Sequence, residues 1–559
     1  MNNKKICLII SLLTIASLSG CNSNNNDSEN TNNEAINIFT INGNYAEGVK
    51  KDSVWKYIEE KADVSFSISG AINNGDYYTT LSPKINTAKN MPDAFFSVPQ
   101  GTDSSYYKWA DQTTGVLYNL DELLAGNEDK YPYLYATINS PQFVNMRFDG
   151  AHTLIPNPSL RSGWGIYYRS DWLINVGYYQ KDESGKAILD ENGNKIARTP
   201  VTMDEFSEVL KLFTIADPDQ NGKDDTYGIS PGSGAHMTNP LYHAFGVPTD
   251  WDVNDENNIE YMYLSPEYKN YLSWFQKQYN NGYIEPQFYM NKNDSDRKLF
   301  ENGKVGVIIT NAEAHVMYVA KPMEDIFGKN KTVMGVAPIG TKTCGKEGAQ
   351  GFSDWGGTWG GFSITKTCKN IDGTLRLFDY LLSPEGALTA SYGIKDVHYE
   401  MKEDNKPYAI LENRYKEPED SFTYFKDENG SSEPLGTYRF YSYLLSSPHI
   451  YDLKTNTYTM CVNYQMFDGY YYKLMEDANN LMITHKTKLE NFTDFTSSVL
   501  KKRSQIENEA ASYAVQAMAC KKNLTSDYDE MVKNCQNYGL DTVKKIMKAK
   551  AIECKIIEE

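Results

Sequence analysis

The sequence predicts an α/β protein, because strand-like and helix-like patterns alternate along the chain. Val64, Phe66 and Ile68 alternate with serines, as expected for a half-buried strand. Thr202 and Glu205 form a capping box, which marks the start of a helix. The apolar residues of that helix follow at helical spacing: Phe206, Val209, Leu210 and Phe213.

The length of the chain predicts more than one lobe. About 525 residues follow the polar N-terminal segment, which is more than one hydrophobic core usually holds. From about residue 491 the pattern is helical to the end, and this predicts a helical C-terminal cap.

Residues 1–20 have the pattern of a lipoprotein signal peptide. Lys4 and Lys5 precede the apolar run 6–16, which is too short to span a bilayer permanently. The run leads into the sequence LSGC, which resembles the bacterial lipobox. This resemblance implies that Cys21 is acylated, with palmitate as one expected lipid, and becomes the N-terminus. An ordinary cleaved signal, in which Cys21 has no role, is the alternative.

Residues 21–34 are predicted to form a flexible tether, since they are almost wholly polar and have no apolar residue to bury. Loss of Lys4 and Lys5 with the signal would change the formal charge from −18 to −20. Such a chain repels nucleic acid. No later segment approaches the roughly 20 apolar residues of a membrane helix, so attachment to a membrane is expected only through the lipid.

The six cysteines beyond Cys21 give no metal-binding pattern. None forms a CxxC pair or has a histidine at ligand spacing, which argues against zinc. Fifteen disulfide pairings are possible, and isolated free thiols are equally compatible with the sequence. These residues are Cys344, Cys368, Cys461, Cys520, Cys535 and Cys554.

Five segments matter through their order along the chain, although each is a weak signal alone. They are residues 84–98, 167–173, 202–228, 299–310 and 356–386. In this order they resemble family 1 extracellular solute-binding proteins, particularly a long lipoprotein branch that includes alginate- and oligosaccharide-binding proteins.

The resemblance implies a two-lobe, periplasmic-binding-protein-like (type II) fold that encloses a carbohydrate in an interlobe cleft. It also implies a monomer on the outer face of the cell membrane, with the permease subunits of an ABC transporter as partners. Chain crossings near Phe143 and Gly303 would be hinges. The implied lobes are 35–145 plus 304–392, and 146–303 plus 393–559.

One acidic loop has the spacing of a calcium site. Oxygen side chains fall at positions 1, 3, 5 and 9, Gly222 is at position 6, and a backbone carbonyl is available at position 7. Position 12 is Gly228, so the bidentate glutamate of an EF-hand is missing. Some relatives have an acidic residue where this chain has Thr226. A solvated acidic turn is the alternative. The expected ligands are Asp217, Asp219, Asn221, Lys223 through its carbonyl, and Asp225.

The high aromatic content, with 42 Tyr and 8 Trp, favours a carbohydrate ligand. Sugar rings stack on aromatic faces, and their hydroxyls need polar partners. Core packing is the more frequent fate of a single aromatic residue, although glycines around Trp355 and Trp359 favour accessible rings. The candidates are Tyr106, Trp109, Arg161, Trp164, Asn311, Glu313, His315, Asp354, Trp355 and Trp359.

The sequence favours a binding protein over an enzyme. No nucleophile elbow, P-loop, zinc-protease or dinucleotide motif occurs in its required context. A glycan hydrolase or lyase stays open as an alternative, because two carboxylates at the right separation would suffice. A glycan-capturing lipoprotein of helical repeats is a third class, and the strand patterns argue against it.

Overall fold

The computed structural model describes most of the chain between residues 34 and 558. No helix within this described part is both long enough and apolar enough to cross a membrane. The described residues are 34–41, 52–71, 76–98, 104–158, 165–232, 239–292, 295–310, 315, 319–320, 322–353, 358–402, 407–414, 422–426, 432–438, 449–452, 457–460, 474, 477, 481, 484–485, 488–489 and 492–558.

Short strands and helices alternate in the chain. The strands are β1 (Ile36–Phe39), β2 (Phe66–Ser69), β3 (Ala94–Ser97), β4 (Ile155–Pro158), β5 (Gly165–Arg169), β6 (Tyr227–Ile229), β7 (Trp251–Val253), β8 (Ile259–Tyr261), β9 (Val305–Thr310), β10 (Thr332–Gly335), β11 (Phe352–Ser353), β12 (Thr358–Ile364), β13 (Tyr399–Met401), β14 (Pro407–Ala409), β15 (Phe422–Lys426), β16 (Ser432–Tyr438), β17 (His449–Asp452), β18 (Thr457–Met460) and β19 (Thr484–His485).

The helices lie mainly between and after these strands. They are α1 (Ser53–Ala62), α2 (Tyr77–Thr87), α3 (Ser104–Ala110), α4 (Leu120–Leu124), α5 (Pro132–Ile138), α6 (Ser170–Asn175), α7 (Met203–Ile215), α8 (Asn239–His243), α9 (Pro266–Asn280), α10 (Ser295–Glu301), α11 (Glu324–Phe327), α12 (Ile371–Leu382), α13 (Pro384–Tyr392), α14 (Leu411–Arg414), α15 (Ser497–Met518), α16 (Ser526–Tyr538) and α17 (Leu540–Glu553). Two 3₁₀ turns, Met262–Leu264 and Phe288–Met290, complete the set.

Local sequence signals account for several of these elements. Phe66 and Ile68 are buried in β2, while Ser67 between them is exposed, as the alternation predicts. At the start of α7, the hydroxyl of Thr202 accepts a hydrogen bond from the backbone N–H of Glu205 at 3.2 Å. The Glu205 carboxylate accepts from the Val201 N–H at 2.8 Å. The predicted capping box is therefore formed, with the reciprocal bond shifted by one residue.

The first sheet has the strand order β2-β1-β3-β12-β4. Strands β1, β2 and β3 are parallel, and β12 is antiparallel to both β3 and β4. Hydrophobic side chains of this sheet and of the helices around it form a first core from residues 36–155 and 362–390.

The second sheet has the order β10-β5-β9-β6. Strands β9 and β10 are antiparallel to β5, and β6 is parallel to β9. A second core forms from residues 166–352 and 474–557. The two cores correspond to two lobes, and the α/β class expected from the sequence is confirmed.

Strand pairing corrects the predicted lobe boundaries. Because β9 and β10 pair with β5, residues 305–353 belong to the second core and not to the first. Because β4 pairs with β12, residues 146–158 belong to the first core. The connections 159–164 and 354–357 therefore cross between the cores, in place of the expected crossings near Phe143 and Gly303. An apolar strand such as β9 is compatible with either sheet, and only its hydrogen-bond partners assign it.

The helical C-terminal cap joins both cores. Helices α15, α16 and α17 pack within the second core, and α15 also contacts α3 of the first. The hydroxyl of Thr493 donates to the carbonyl oxygen of Arg147 at 2.9 Å. One carboxylate oxygen of Asp494 accepts from the Gly150 N–H at 2.8 Å, and the other accepts from Lys550 Nζ at 2.9 Å. The cap thus binds backbone groups of the first lobe directly.

Five of the six cysteines beyond Cys21 are described, and all five are free thiols: Cys344, Cys368, Cys520, Cys535 and Cys554. Cys461 and the predicted signal peptide and tether before Glu34 lie outside the described residues. For the five described cysteines, the structure therefore has isolated free thiols and no disulfide bond.

Candidate functional site

The strands of the first sheet end at one common edge. β4 has the same direction as β3, since both are antiparallel to β12, so the carboxyl ends of β1, β2, β3 and β4 lie together. The amino end of β12 is at the same edge, where Thr358 and Pro158 are register partners. In open α/β sheets, ligands bind outside the carboxyl ends of the strands.

The second sheet has an equivalent edge. The carboxyl ends of β6, β9 and β10 lie there together with the amino end of β5, where Gly165 pairs with Thr310. The connection 159–164 leads from the first edge to the second, and 354–357 leads from β11 back to β12. Seven residue steps separate Pro158, at the first edge, from Gly165, at the second, and they span at most about 25 Å. The connection 159–164 therefore limits the separation of the two carboxyl edges at this point.

Most of the predicted ligand-binding residues fall on the connections at these two edges. Two belong to the first crossing, two to the second, and two directly follow β9. All six lie outside the described residues, so their role stays a prediction: Arg161, Trp164, Asp354, Trp355, Asn311 and Glu313.

Trp359 lies in a β-strand and not in the flexible loop that was expected from the sequence. Its backbone is part of β12, although its side chain lies outside the described residues. A Cβ atom at Gly360 would come within 2.3 Å of the Ser97 carbonyl oxygen, and one at Gly361 within 2.1 Å of the Ile155 carbonyl oxygen. These two glycines are required because neighbouring strands approach closely, so they do not by themselves make the tryptophans accessible.

Tyr106 and Trp109 pack in the first core, which was the alternative to a ligand-binding role. Their exposed fractions are 0% and 3%. The Tyr106 hydroxyl is hydrogen-bonded to the hydroxyls of Thr153 at 3.1 Å and Ser363 at 2.8 Å, and burial raises its pKa. Trp109 Nε1 donates to the side-chain oxygen of Asn86 at 2.9 Å. Both side chains are satisfied inside the first lobe, and the prediction that they face a ligand is corrected.

His315 is also buried instead of lining an open cleft. Its ring is fully buried and stacks on Tyr167, with 3.7 Å between ring centroids, and its Nε2 lies 3.1 Å from the Thr332 hydroxyl. Burial lowers the pKa of His315 to about 3, and the charge of Arg297 acts in the same direction. The imidazole is therefore neutral at physiological pH and offers no charge to a ligand.

Polar atoms at strand ends mark positions that the sequence analysis missed. Ser97 ends β3, Thr310 ends β9, and Asn157 lies one residue before the end of β4. The Oγ of Ser97, the Oγ1 of Thr310 and the Oδ1 of Asn157 are buried, and none of the three atoms has a hydrogen-bond partner among the described residues. Such unpaired groups cost about 1–3 kcal/mol each. For Ser97 and Thr310, the signal in the sequence was a polar residue at the end of an apolar strand.

The acidic loop has the backbone form of a cation-binding loop. Gly222, at the sixth position, has a φ of 75°, in the left-handed region that glycine adopts without strain. One carboxylate oxygen of Asp217 accepts from the Asn221 N–H and the other from the Gly222 N–H, both at 3.0 Å. The first expected ligand thus organises the turn.

The side chains at positions 3, 5 and 9 converge. Asn221 Nδ2 donates to Asp219 Oδ2 at 2.7 Å and to Asp225 Oδ1 at 3.1 Å. Asp219 Oδ1 is buried and has no hydrogen-bond partner among the described residues. Burial raises the pKa of Asp219, against the Asn221 N–H that lowers it, and the carboxylates of Asp217 and Asp225 raise it further.

This arrangement fits a cation only if amide and carbonyl oxygens contribute. No three Asp, Glu, His or Cys side chains in the described part of the chain are grouped closely enough to hold a metal ion. The carbonyl of Lys223 and the Asn221 amide would have to complete the set, as calcium accepts neutral oxygen ligands. The amide would turn to present its Oδ1, which now accepts from the Lys223 N–H at 2.8 Å. Thr226 is buried, and its hydroxyl donates to the Phe213 carbonyl oxygen at 2.8 Å, which holds this side chain against helix α7. The orphaned Asp219 Oδ1 supports the fit.

Two curated proteins of Bacillus subtilis are similar to part of the chain. The polygalacturonan/rhamnogalacturonan-binding protein YtcQ is 29% identical over 268 residues, which cover 46% of this chain and 48% of YtcQ. Lipoprotein LipO is 29% identical over 246 residues, which cover 42% of this chain and 44% of LipO. The chain therefore matches about half the length of these relatives.

Solved structures match over almost the whole chain. An HMO-binding, ABC-transporter-associated solute-binding protein from Bifidobacterium longum infantis has a TM-score of 0.63 at 13% identity and covers 92% of this chain and 98% of its own. FusA of S. pneumoniae, solved with kestose, has a TM-score of 0.61 at 15% identity, with coverages of 93% and 99%. At this identity the likeness establishes the two-lobe fold.

The family comparison covers both crossings and every strand of the two sheets except β1. The family model described as bacterial extracellular solute-binding protein matches residues 42–388, more than half of the chain. The chain therefore belongs to the bacterial extracellular solute-binding protein family.

Proposed function

We propose that this protein is the lipid-anchored, carbohydrate-binding component of an ABC importer. The proposal rests on the observation that short connections join the two lobes at the carboxyl edges of their sheets. Those crossings contain Arg161, Trp164, Asp354 and Trp355, and Trp359 follows directly in β12. Aromatic faces with adjacent charged and polar groups are the chemistry that sugar rings require.

Comparison with relatives supports a glycan as the ligand. YtcQ is described as binding polygalacturonan and rhamnogalacturonan, FusA was solved with kestose, and the Bifidobacterium protein is described as binding HMO. These ligands differ in chemistry, so what they share is the sugar ring. We therefore propose an oligosaccharide as the ligand class, a monomeric protein, and permease subunits as its partners.

Membership of the family supports binding without catalysis at the family level. Import requires that the ligand leaves the cleft unchanged, whereas a hydrolase or lyase would shorten it. This difference separates the proposal from its main alternative.

A thermal-shift screen against oligosaccharides tests the proposed function. A ligand at about 100 times its Kd is expected to raise the free energy of unfolding by about 2.7 kcal/mol, because it binds only the folded state. The panel contains kestose, galacturonate oligomers and HMO, and each is analysed by chromatography before and after incubation. A higher melting temperature with an unchanged ligand supports the transporter component. Shortened products would favour the enzyme, and no shift with any glycan would contradict a carbohydrate ligand.

We also propose that calcium binds the loop from Asp217 to Asp225 and stabilises the fold. Removal of calcium with a chelator is expected to lower the melting temperature. Asp219→Ala is expected to abolish this response, because it removes a ligand at position 3. Asp224→Ala is the matched control, since it removes an equal charge at position 8, which is not a ligand position. Equal responses of the two variants, or an unchanged melting curve in chelator, would contradict the site.

A further inference from the structure

Strand pairing places a lysine against the acidic loop. β6 and β9 are parallel, with Tyr227 beside Val305, and the carbonyl oxygen of Lys304 accepts from the Tyr227 N–H at 2.9 Å. This hydrogen bond fixes the backbone of Lys304 beside Tyr227, which follows Asp225 by two residues in the sequence. Its Nζ lies 2.7 Å from Asp225 Oδ2. This ammonium lowers the pKa of Asp225, the position-9 carboxylate.

Both oxygens of Asp225 already have donors within the chain. Lys304 Nζ contacts Oδ2, and Asn221 Nδ2 contacts Oδ1 at 3.1 Å. A divalent cation that used this carboxylate would share its oxygens with these donors or replace one of them, and in either case it would lie close to the Lys304 ammonium. The side chains of Lys304 and Asp225 are 45% and 34% exposed, so the ammonium has solvent to move into.

We propose that Lys304 is an internal counter-ion of the loop, with two effects on calcium binding. It keeps the carboxylates compensated when calcium is absent, so the loop holds its form without metal. It also weakens calcium affinity, because its ammonium competes for Asp225 and repels the incoming ion. This inference rests on the proposed calcium site and adds a residue that sets the affinity of that site.

The comparison of two lysine variants in the full chain tests the inference. Lys304→Met keeps the aliphatic stem and removes the charge. Lys298→Met is the matched control, because it removes the charge of an exposed lysine from helix α10, just before β9, and Lys298 is not a residue of the loop. Calcium affinity is measured by isothermal titration calorimetry, and the melting temperature is measured in chelator.

Lys304→Met is expected to bind calcium on the order of tenfold more tightly than the parent, because a nearby positive charge no longer opposes the divalent ion. In chelator it is expected to melt at a lower temperature than the parent, since Asp225 then lacks its counter-ion. Lys298→Met should change both the calcium affinity and the melting temperature much less. Should Lys304→Met fail to fold even with calcium, Lys304→Gln, which keeps a hydrogen-bond donor without the charge, is measured in its place.

The possible failures are distinguishable. If the parent binds calcium and Lys304→Met binds with the same affinity, the counter-ion role is wrong and the calcium site stands. Equal tightening in both lysine variants also overturns it, because general electrostatics would then suffice. If neither the parent nor any variant binds calcium, the proposed site and the inference fail together.

Discussion

Trp359→Ala is expected to weaken oligosaccharide binding by roughly tenfold to a hundredfold while leaving the protein folded. Stacking of a sugar on an indole contributes about 0.5–1.5 kcal/mol beyond the apolar area that it covers, and the covered area adds to this. The residue follows Thr358, which pairs with Pro158 at the carboxyl edge of the first sheet. The backbone of Trp359 therefore lies at the edge where the first crossing begins and the second crossing ends.

Ligand affinity and the free energy of unfolding must be measured on the same Trp359→Ala protein. Trp109→Ala is the matched control, because Trp109 is buried in the first core. Emptying that site is expected to cost about 3–5 kcal/mol of stability and to leave affinity unchanged in the folded protein. The same pattern for Trp359→Ala would assign Trp359 to the core and remove it from the proposed site.

Cys21→Ser is expected to release the protein from the membrane completely. The hydroxyl replaces the thiol that carries the lipid, and acyl chains supply about 0.8 kcal/mol of membrane affinity for each buried CH₂ group. No helix in the described part of the chain provides a second means of crossing a membrane. The measurement is the distribution of protein between membrane and soluble fractions after a high-salt wash.

Cys520→Ser is the control for membrane release, because this exposed thiol lies in the C-terminal cap and outside the signal. It should remain with the membrane like the parent protein. If Cys21→Ser also stays in the membrane fraction after the wash, the anchor is not at Cys21. Mass spectrometry of the parent N-terminus provides an independent check for the acyl groups.

Local patterns in the sequence determined the elements that depend on near neighbours. The Thr202–Glu205 capping box forms because both groups belong to the same helical turn. Gly222 and Asp217 form the loop turn because the carboxylate reaches N–H groups only four and five residues away. The order of such segments along the chain was also sufficient to indicate the family.

Tertiary structure alone decided which lobe each segment joins and which candidate side chains are buried. The strand β9 is apolar on both faces, so its sequence fits either sheet, and pairing with β5 over a long separation assigns it to the second. Tyr106 resembles a sugar-stacking residue until Thr153 and Ser363 are seen to satisfy its hydroxyl. Lys304 meets Asp225 only because β6 and β9 pair. The physical reason is common to all three: contacts between distant segments depend on chain pairing, and periodicity within one segment does not encode its partner.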